Sequence, residues 1–287
     1  MDYQKLFQNI EMPEYVQKEY YLFVDTITET DILEMKKVYA RGNECFENYV
    51  VTQAKVRNIE PEKMNLYMTL CLYENAYEIY KRRGTDEKII YATAKNIADI
   101  SKQYADSTGI YGIPLFEIPW FRYHLDAIIF QLGRLQYQIA KSEYEVEIGG
   151  VKIAKGESCF FVHIPRGEPL TPEICEESYR LAYTFFKVNY SIEKMVCFCY
   201  SWLFQPWLRE VLSEGSNIIR FQKSYKVLEL IESVEHAFRF IFPQLYENID
   251  DYPINNKLQR VAIERKKCGE SIGYGVGIKL ITEKLLG

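Results

Sequence analysis

"SCFFVHIPRGEPLTPEICEESYRLAYTFFKVNYSIEKMVCFCYSW", residues 158 to 202, holds an apolar run, a proline turn, an amphipathic stretch and a second apolar run in immediate succession. The outer segments, "SCFFVHI" and "KMVCFCYSW", have the length and the aromatic and β-branched content of buried strands. Between them Thr171 stands where an N-cap oxygen is wanted and Pro172 where a first helical residue needs no amide hydrogen, which predicts a helix through "PEICEESYRLAYTFFKVN". Strand, helix and strand in that order require a crossover, so the two strands are expected to lie parallel in one sheet. His163 and Ser201 then both fall at carboxyl ends, the side of an open sheet where ligands usually bind.

The two-residue period of a strand groups Cys159, Phe161 and His163 on one face, and Cys197, Cys199 and Ser201 together on the second strand. A histidine ending an apolar strand reads in two ways: as a hydrogen-bonded core residue, or as a base whose unperturbed pKa is about 6.5. Cys197 and Cys199 read as small buried hydrophobes, since no cation beside them in sequence lowers a thiol pKa.

Immediately before this stretch, "YEVEI", "GG" and "VKIAKG" alternate about a Gly-Gly turn and predict a hairpin. "PWLREVLSE" reads as a short helix and "NNKLQRVAIERKKCG" as a late one, while "NIIRFQKSY" and "HAFRFIF" read as later strands. "GYGVG", 273 to 277, lacks the strand-then-long-helix context of a phosphate loop and reads as a glycine-rich turn. "FRYHLDAIIFQLGRLQ" reads as helical.

Upstream, apolar residues recur at three-to-four spacing. A helix is expected from about Asp31 to Lys55, another after Pro61 with Met64, Tyr67, Met68, Cys71, Leu72 and Ile79 on one stripe, and a third after Thr85, Asp86 and Glu87. The Gly- and Pro-rich "STGIYGIPLFEIPW" reads as a linker. The expected organisation is α+β: an all-helical domain over 1–117, then a mixed sheet flanked by helices over 118–287.

Composition narrows the function classes. With 48% apolar and 26% charged residues in 287, the chain has the material for a sizeable core. The absence of an 18-residue apolar run and of a basic-then-apolar leader leads to the expectation of a cytoplasmic protein with no membrane partner. Seven cysteines without a C-x-x-C pair fit reduced thiols and no metal site. A formal charge of −5 gives no footprint for nucleic acid.

The strings "HIPRGEPLTPEICEESYRLAYTFF", "CYSWLF", "SNIIRFQ" and "LGRLQY" resemble the GNAT-like C-terminal region of a family of bacterial acyltransferases that carries a helical N-terminal domain. The resemblance implies transfer of an acyl group from acyl-CoA to an amine or hydroxyl of a small acceptor, with the pantetheine arm between the two parallel strands. It implies His163 as base, Ser201 or a backbone amide of the parting strand as polariser of the carbonyl, and a tyrosine, Tyr200, as acid. CoA contacts are implied at Arg134, Arg166, Gly167, Cys199, Trp202, Asn217 and Arg220. The loop "IPRGEPLTPE" departs from the family's amide-rich phosphate loop: it has a single glycine, prolines without amide hydrogens, and Glu168 and Glu173 near a helix N-terminus. Two other classes fit the residues. One is a catalytically inert small-ligand-binding protein on a degenerate form of the fold. The other is a Ser/His or Cys/His hydrolase, although "CYSWL" is not the G-x-S-x-G elbow.

Overall fold

A computed structural model describes residues 1–234, 236–242 and 245–286. The chain parts into two compact units, Met1–Gln131 and Leu132–Gly287, against an expected junction at 117/118.

The first unit is helical: α1 (Tyr3–Asn9), α2 (Glu14–Val24), α3 (Glu29–Ala40), α4 (Asn43–Arg57), α5 (Pro61–Arg82), α6 (Glu87–Thr108) and α7 (Ile118–Leu125), with β1 (Ile129–Leu132) at its end. The single helix expected over 31–55 is two, because Gly42 takes φ 115° between them. A Thr28–Asp31 capping box starts the first of the two. α5 is buried on every side from Met64 to Tyr73 rather than along one stripe, the pattern of a central helix. The segment read as a linker is packed: the Asn65 side chain donates to Ile113 O at 3.0 Å, Ile113 N donates to Glu62 O, and Tyr111 and Ile113 are buried.

The second unit contains β2 (Leu135–Lys141), β3 (Val146–Ile148), β4 (Val151–Ile153), β5 (Ser158–His163), α8 (Pro172–Tyr190), β6 (Lys194–Ser201), α9 (Leu208–Val211), α10 (Asn217–Lys223), β7 (Lys226–Ile231), α11 (Phe238–Ile241), α12 (Lys257–Lys267), β8 (Tyr274–Thr282) and α13 (Glu283–Leu286). The sheet runs β1-β2-β5-β6-β8-β7, with the β3–β4 hairpin as a separate ribbon. β5 and β6 are parallel and joined by α8, as their order in sequence requires. Thr171 caps α8 through its Oγ1, which accepts from Ile174 N at 3.3 Å.

Four local expectations fail, each for a physical reason. The 121–136 stretch is α7 followed by strand, turn and strand; Gly133 takes a left-handed φ of 69° at the turn, and a Cβ there would come within 3.1 Å of Ser178 Cα on α8. "NIIRFQKSY" contains α10, because Ser216 caps it by accepting from Ile219 N and its apolar residues are spaced for one helical face. "HAFRFIF" contains the short helix α11, buried through Phe238. "GYGVG" is no turn: its last four residues open β8, a central strand between β6 and β7.

The two faces of this sheet have different covers. On one, Phe160 meets Phe186 of α8 at 4.4 Å between ring centroids. On the other, Cys159, Phe198, Val276 and Ile278 form a core with Ile153 of the hairpin. Fully burying side chains of this kind contributes about 1.5–3 kcal/mol each. No described helix is long and apolar enough to cross a membrane.

Candidate active site

The β5–β6 pair holds register only at Phe160↔Cys197 and Phe161↔Phe198. β6 goes on pairing with β8 as far as Ser201↔Gly275. The carboxyl-terminal residues of β5 and β6, Val162–His163 and Cys199–Ser201, therefore lie outside their common ladder. Two parallel strands that part in this way mark a candidate cleft between their carboxyl ends, where Val162, Cys199 and Ser201 are buried and His163 and Tyr200 half-buried.

Register also decides which side chains share the cleft. Phe161 opposite Phe198 puts His163 and Tyr200 on one face of the sheet, and the Phe161 ring meets the rings of Phe198 at 6.3 Å and Tyr200 at 5.1 Å. Ser201 and Cys199 point to the opposite face. His163 and Ser201 both lie at the carboxyl ends of parallel strands, as their order in sequence predicts, but on opposite faces of the sheet. Ser201 is also occupied: its Oγ accepts from Leu203 N at 3.2 Å, capping the 3₁₀ turn over 202–204. Cys199 is 1% exposed, and burial pushes its thiol well above the ordinary range.

His163 ends β5 half-buried. Its Nε2 lies 2.9 Å from Gln138 Oε1. A carboxamide oxygen only accepts, so Nε2 carries the proton and Nδ1 the lone pair. Burial pushes the imidazole pKa down to about 4, which keeps the ring neutral at physiological pH. The Tyr200 hydroxyl donates to Glu143 Oε2 at 3.1 Å. Burial first, and the Glu143 charge second, push that phenol above its ordinary range, so it holds its proton more tightly than a free tyrosine.

The cations gather at the β5–α8 loop. Arg134 Nε donates to Glu168 O at 2.6 Å, and Arg166 Nη2 donates to Arg239 O at 2.9 Å, each leaving further N–H groups on a fork of five. Gly167 is exposed in the loop with open space where a Cβ would stand. The carboxyl of Glu173, exposed at the start of α8, is held below the usual range chiefly by the proximity of its own backbone N–H and then of the Thr171 hydroxyl, with a smaller contribution from the Arg220 charge. Asn217 is the first residue of α10 and Arg220 lies on its exposed side. Trp202 is half-buried against the cluster of Trp207, Leu208, Ile219 and Phe238. Among the described residues, no three His, Cys, Asp or Glu side chains gather to hold a metal ion.

Two site residues escape a reading of the sequence. Gln136 and Gln138 alternate with Leu135, Tyr137 and Ile139 along β2, and both are buried on the His163 face, with Gln136 in register with His163 itself. Polar residues at every second position of a strand are a signal, but "LGRLQYQI" also carries helical spacing.

A family model described as the GNAT-like C-terminal domain matches residues 129–279, more than half of the chain and the whole of this cleft. The chain belongs to the GNAT-like C-terminal domain family. Among solved structures, an acyltransferase variant in complex with octanoyl-CoA is similar with a TM-score of 0.72 at 20% identity, over 96% of this chain and 86% of that one. An acyltransferase in complex with decanoyl-CoA and teicoplanin has a TM-score of 0.71 at 21% identity over the same shares. An acyltransferase with decanoyl-CoA gives 0.70 at 18% identity, over 97% and 86%. No curated protein matches the chain in sequence. The likeness to the acyltransferases is one of fold, and it extends over the helical unit as well as the GNAT-like one.

Proposed function

We propose that this GNAT-like protein is an acyl-CoA-dependent acyltransferase that moves the acyl group to an amine or hydroxyl of a small-molecule acceptor. The observation that carries the reading is the parting of β5 from β6 after Phe161 and Phe198, with a neutral histidine at its mouth. The acyltransferases of the same fold were solved with acyl-CoA bound, one with teicoplanin also present, which supports a thioester donor and a small acceptor here.

The chain's own residues divide the work. Arg134 and Arg166, with Arg220 on α10, fit the diphosphate of the donor as side-chain cations, since the loop offers few amides. The β6 backbone beyond Phe198 supplies an N–H to polarise the carbonyl. His163 Nδ1 takes the acceptor's proton as its nucleophile bonds to the acyl carbon. An imidazolium with a pKa near 4 then gives that proton readily to the departing sulfur, so no tyrosine acid is required.

A catalytically inert ligand-binding reading draws on one observation, the Glu173 carboxylate seated at the start of α8 where an anion would otherwise bind. Incubation of the purified protein with acetyl-, octanoyl- and decanoyl-CoA and a panel of amines and alcohols, followed by thiol release and by mass spectrometry of the acylated product, separates the two. Acceptor-dependent thiol release supports transfer; CoA binding with no turnover across the panel leaves the inert reading in its place.

A further inference from the structure

An open cavity of about 340 Å³ lies between α11, α12 and the segment 245–252, a volume that suits a small ligand. Its lining comes wholly from residues 232 to 273, the long connection between β7 and β8, two antiparallel neighbours that a turn of a few residues would join. The surface it offers is mixed. Leu245, 58% exposed, and the half-buried His236 and Tyr246 line it, and the buried rings of Phe238 and Tyr252 complete an aromatic wall. Lys266 adds a cation held 4.6 Å from the Phe238 ring centroid. Arg239 is exposed, and its guanidinium makes no ion pair among the described residues. After burial, the Arg239 charge helps to hold the His236 imidazole below its ordinary range, so the two side chains are close neighbours.

The cavity adjoins the face of the sheet that carries His163. Tyr200 and Val276 are in register, so Tyr274 shares the face of Tyr200 and His163, and the His236 ring lies 4.4 Å from the Tyr274 ring. The donor's cations are elsewhere. Arg134 and Arg220 gather near the start of α8, and α8 covers the opposite face. The rim of the cavity is tied to the loop that follows His163, since Arg166, three residues beyond the histidine, donates to Arg239 O. Three extended residues span about 10 Å.

Resting on the acyl-transfer reading, we infer that this cavity is an acceptor subsite for a carboxylate, held by Arg239 at the far end of a molecule whose amine reacts at the cleft. A planar guanidinium matches a carboxylate with two parallel N–H bonds. Leu245, Tyr246 and Tyr252 take the apolar chain that carries the acid group. An acceptor that reaches both places needs roughly 10 Å between amine and carboxylate, which selects an ω-amino acid or a molecule of similar reach over an α-amino acid.

Two measurements test this, one of which needs no turnover. Titration with 3-phenylpropionate and with 3-phenylpropanol, followed at the His236 imidazole resonance, should show the acid binding wild type about tenfold or more tighter, and the difference should vanish in Arg239→Gln. That variant keeps the backbone carbonyl that Arg166 uses, at an exposed position. In turnover, kcat/KM for 8-aminooctanoate should exceed that for 8-amino-1-octanol by a similar factor, while 4-aminobutanoate gains nothing over 4-amino-1-butanol. Arg239→Gln should remove the long-chain preference and leave the KM for acyl-CoA unchanged. Equal binding of acid and alcohol to wild type overturns the inference even if the variant does not fold. So does an acid preference that survives Arg239→Gln, or displacement of 3-phenylpropionate by CoA but not by 3′-dephospho-CoA, which would give the cavity to a phosphate of the donor. Thiol release without preference for the long amino acid sinks the acceptor subsite alone, whereas no thiol release with any amine sinks the acyl-transfer reading and the subsite with it.

Discussion

His163 Nε2 donates to Gln138 Oε1 at 2.9 Å across the β2–β5 pair, and the proton chemistry of the proposed transfer starts from that bond. It fixes the tautomer, and burial sets the pKa near 4. Expressed per neutral amine, wild-type turnover should rise with pH through about 4 and level off above it, and not rise through the unperturbed value of about 6.5. His163→Gln should lower turnover by roughly a hundredfold and remove that limb. The same shift acts on stability. The native ring binds a proton less readily than the unfolded one, so stability is full above about 6.5 and falls as pH drops from there toward 4. In His163→Gln that part of the acid slope should vanish from denaturant midpoints measured at a series of pH values. A limb that survives the substitution removes His163 from the mechanism.

Tyr200 shares the His163 face but gives its hydrogen to Glu143. Because its phenol is raised above the ordinary range and His163 already holds a labile proton, Tyr200→Phe is expected to keep turnover within about threefold of wild type. Glu143→Gln should lower the Tyr200 pKa in an ultraviolet titration. A loss of thirtyfold or more in Tyr200→Phe, on the order expected for a general acid, would restore the tyrosine to that role.

At the start of α8 the protein supplies its own anion. The Glu173 carboxylate stands beside its own backbone N–H and the Thr171 hydroxyl, where a diphosphate would compete for the same donors against a negative charge. Glu173→Gln should therefore tighten CoA binding by about three- to tenfold. Arg166→Ala should weaken it and flatten its salt dependence, because a side-chain cation is lost. Calorimetric titrations at two ionic strengths read both. CoA affinity that is insensitive to salt and to Arg166→Ala would mean that backbone amides hold the phosphates after all.

The strand-helix-strand core was legible because each signal in 158–202 is local: the Thr171 cap, Pro172 at the first turn, and apolar runs too short for helices. What failed depends on contacts distant in sequence. Ser201 and Tyr200 exchange faces on a one-residue change of register, which β6 takes from Phe161 and not from its own residues. Gln136 and Gln138 acquire meaning from His163, which lies 25 residues beyond Gln138. The glycines of "GYGVG" read as a turn because glycine usually marks one, and nothing nearby announces the ring that lies against them.

That ring is Phe204, 1% exposed and packed against Phe221 at 6.0 Å and Tyr225 at 5.3 Å. A Cβ at Gly277 would stand 2.5 Å from Phe204 Cζ, and one at Gly275 2.7 Å from Phe204 Cβ. Both distances are well inside van der Waals contact, so the glycines are there for the close approach of an aromatic ring to the backbone of β8. Gly277 pairs with Cys199 of β6 on one side and Val227 of β7 on the other, and the strand is held on both edges. It cannot back away cheaply. Gly277→Ala is therefore expected to cost about 1–3 kcal/mol as overpacking, read from urea midpoints. Phe204→Leu shortens the ring that clashes and costs stability on its own by leaving a gap. The double variant should be less destabilised than the sum of the two, because the methyl at 277 fills part of that gap, with a coupling of about 0.5–3 kcal/mol. Strict additivity would show that the added methyl is accommodated elsewhere and that Phe204 does not set the composition of β8.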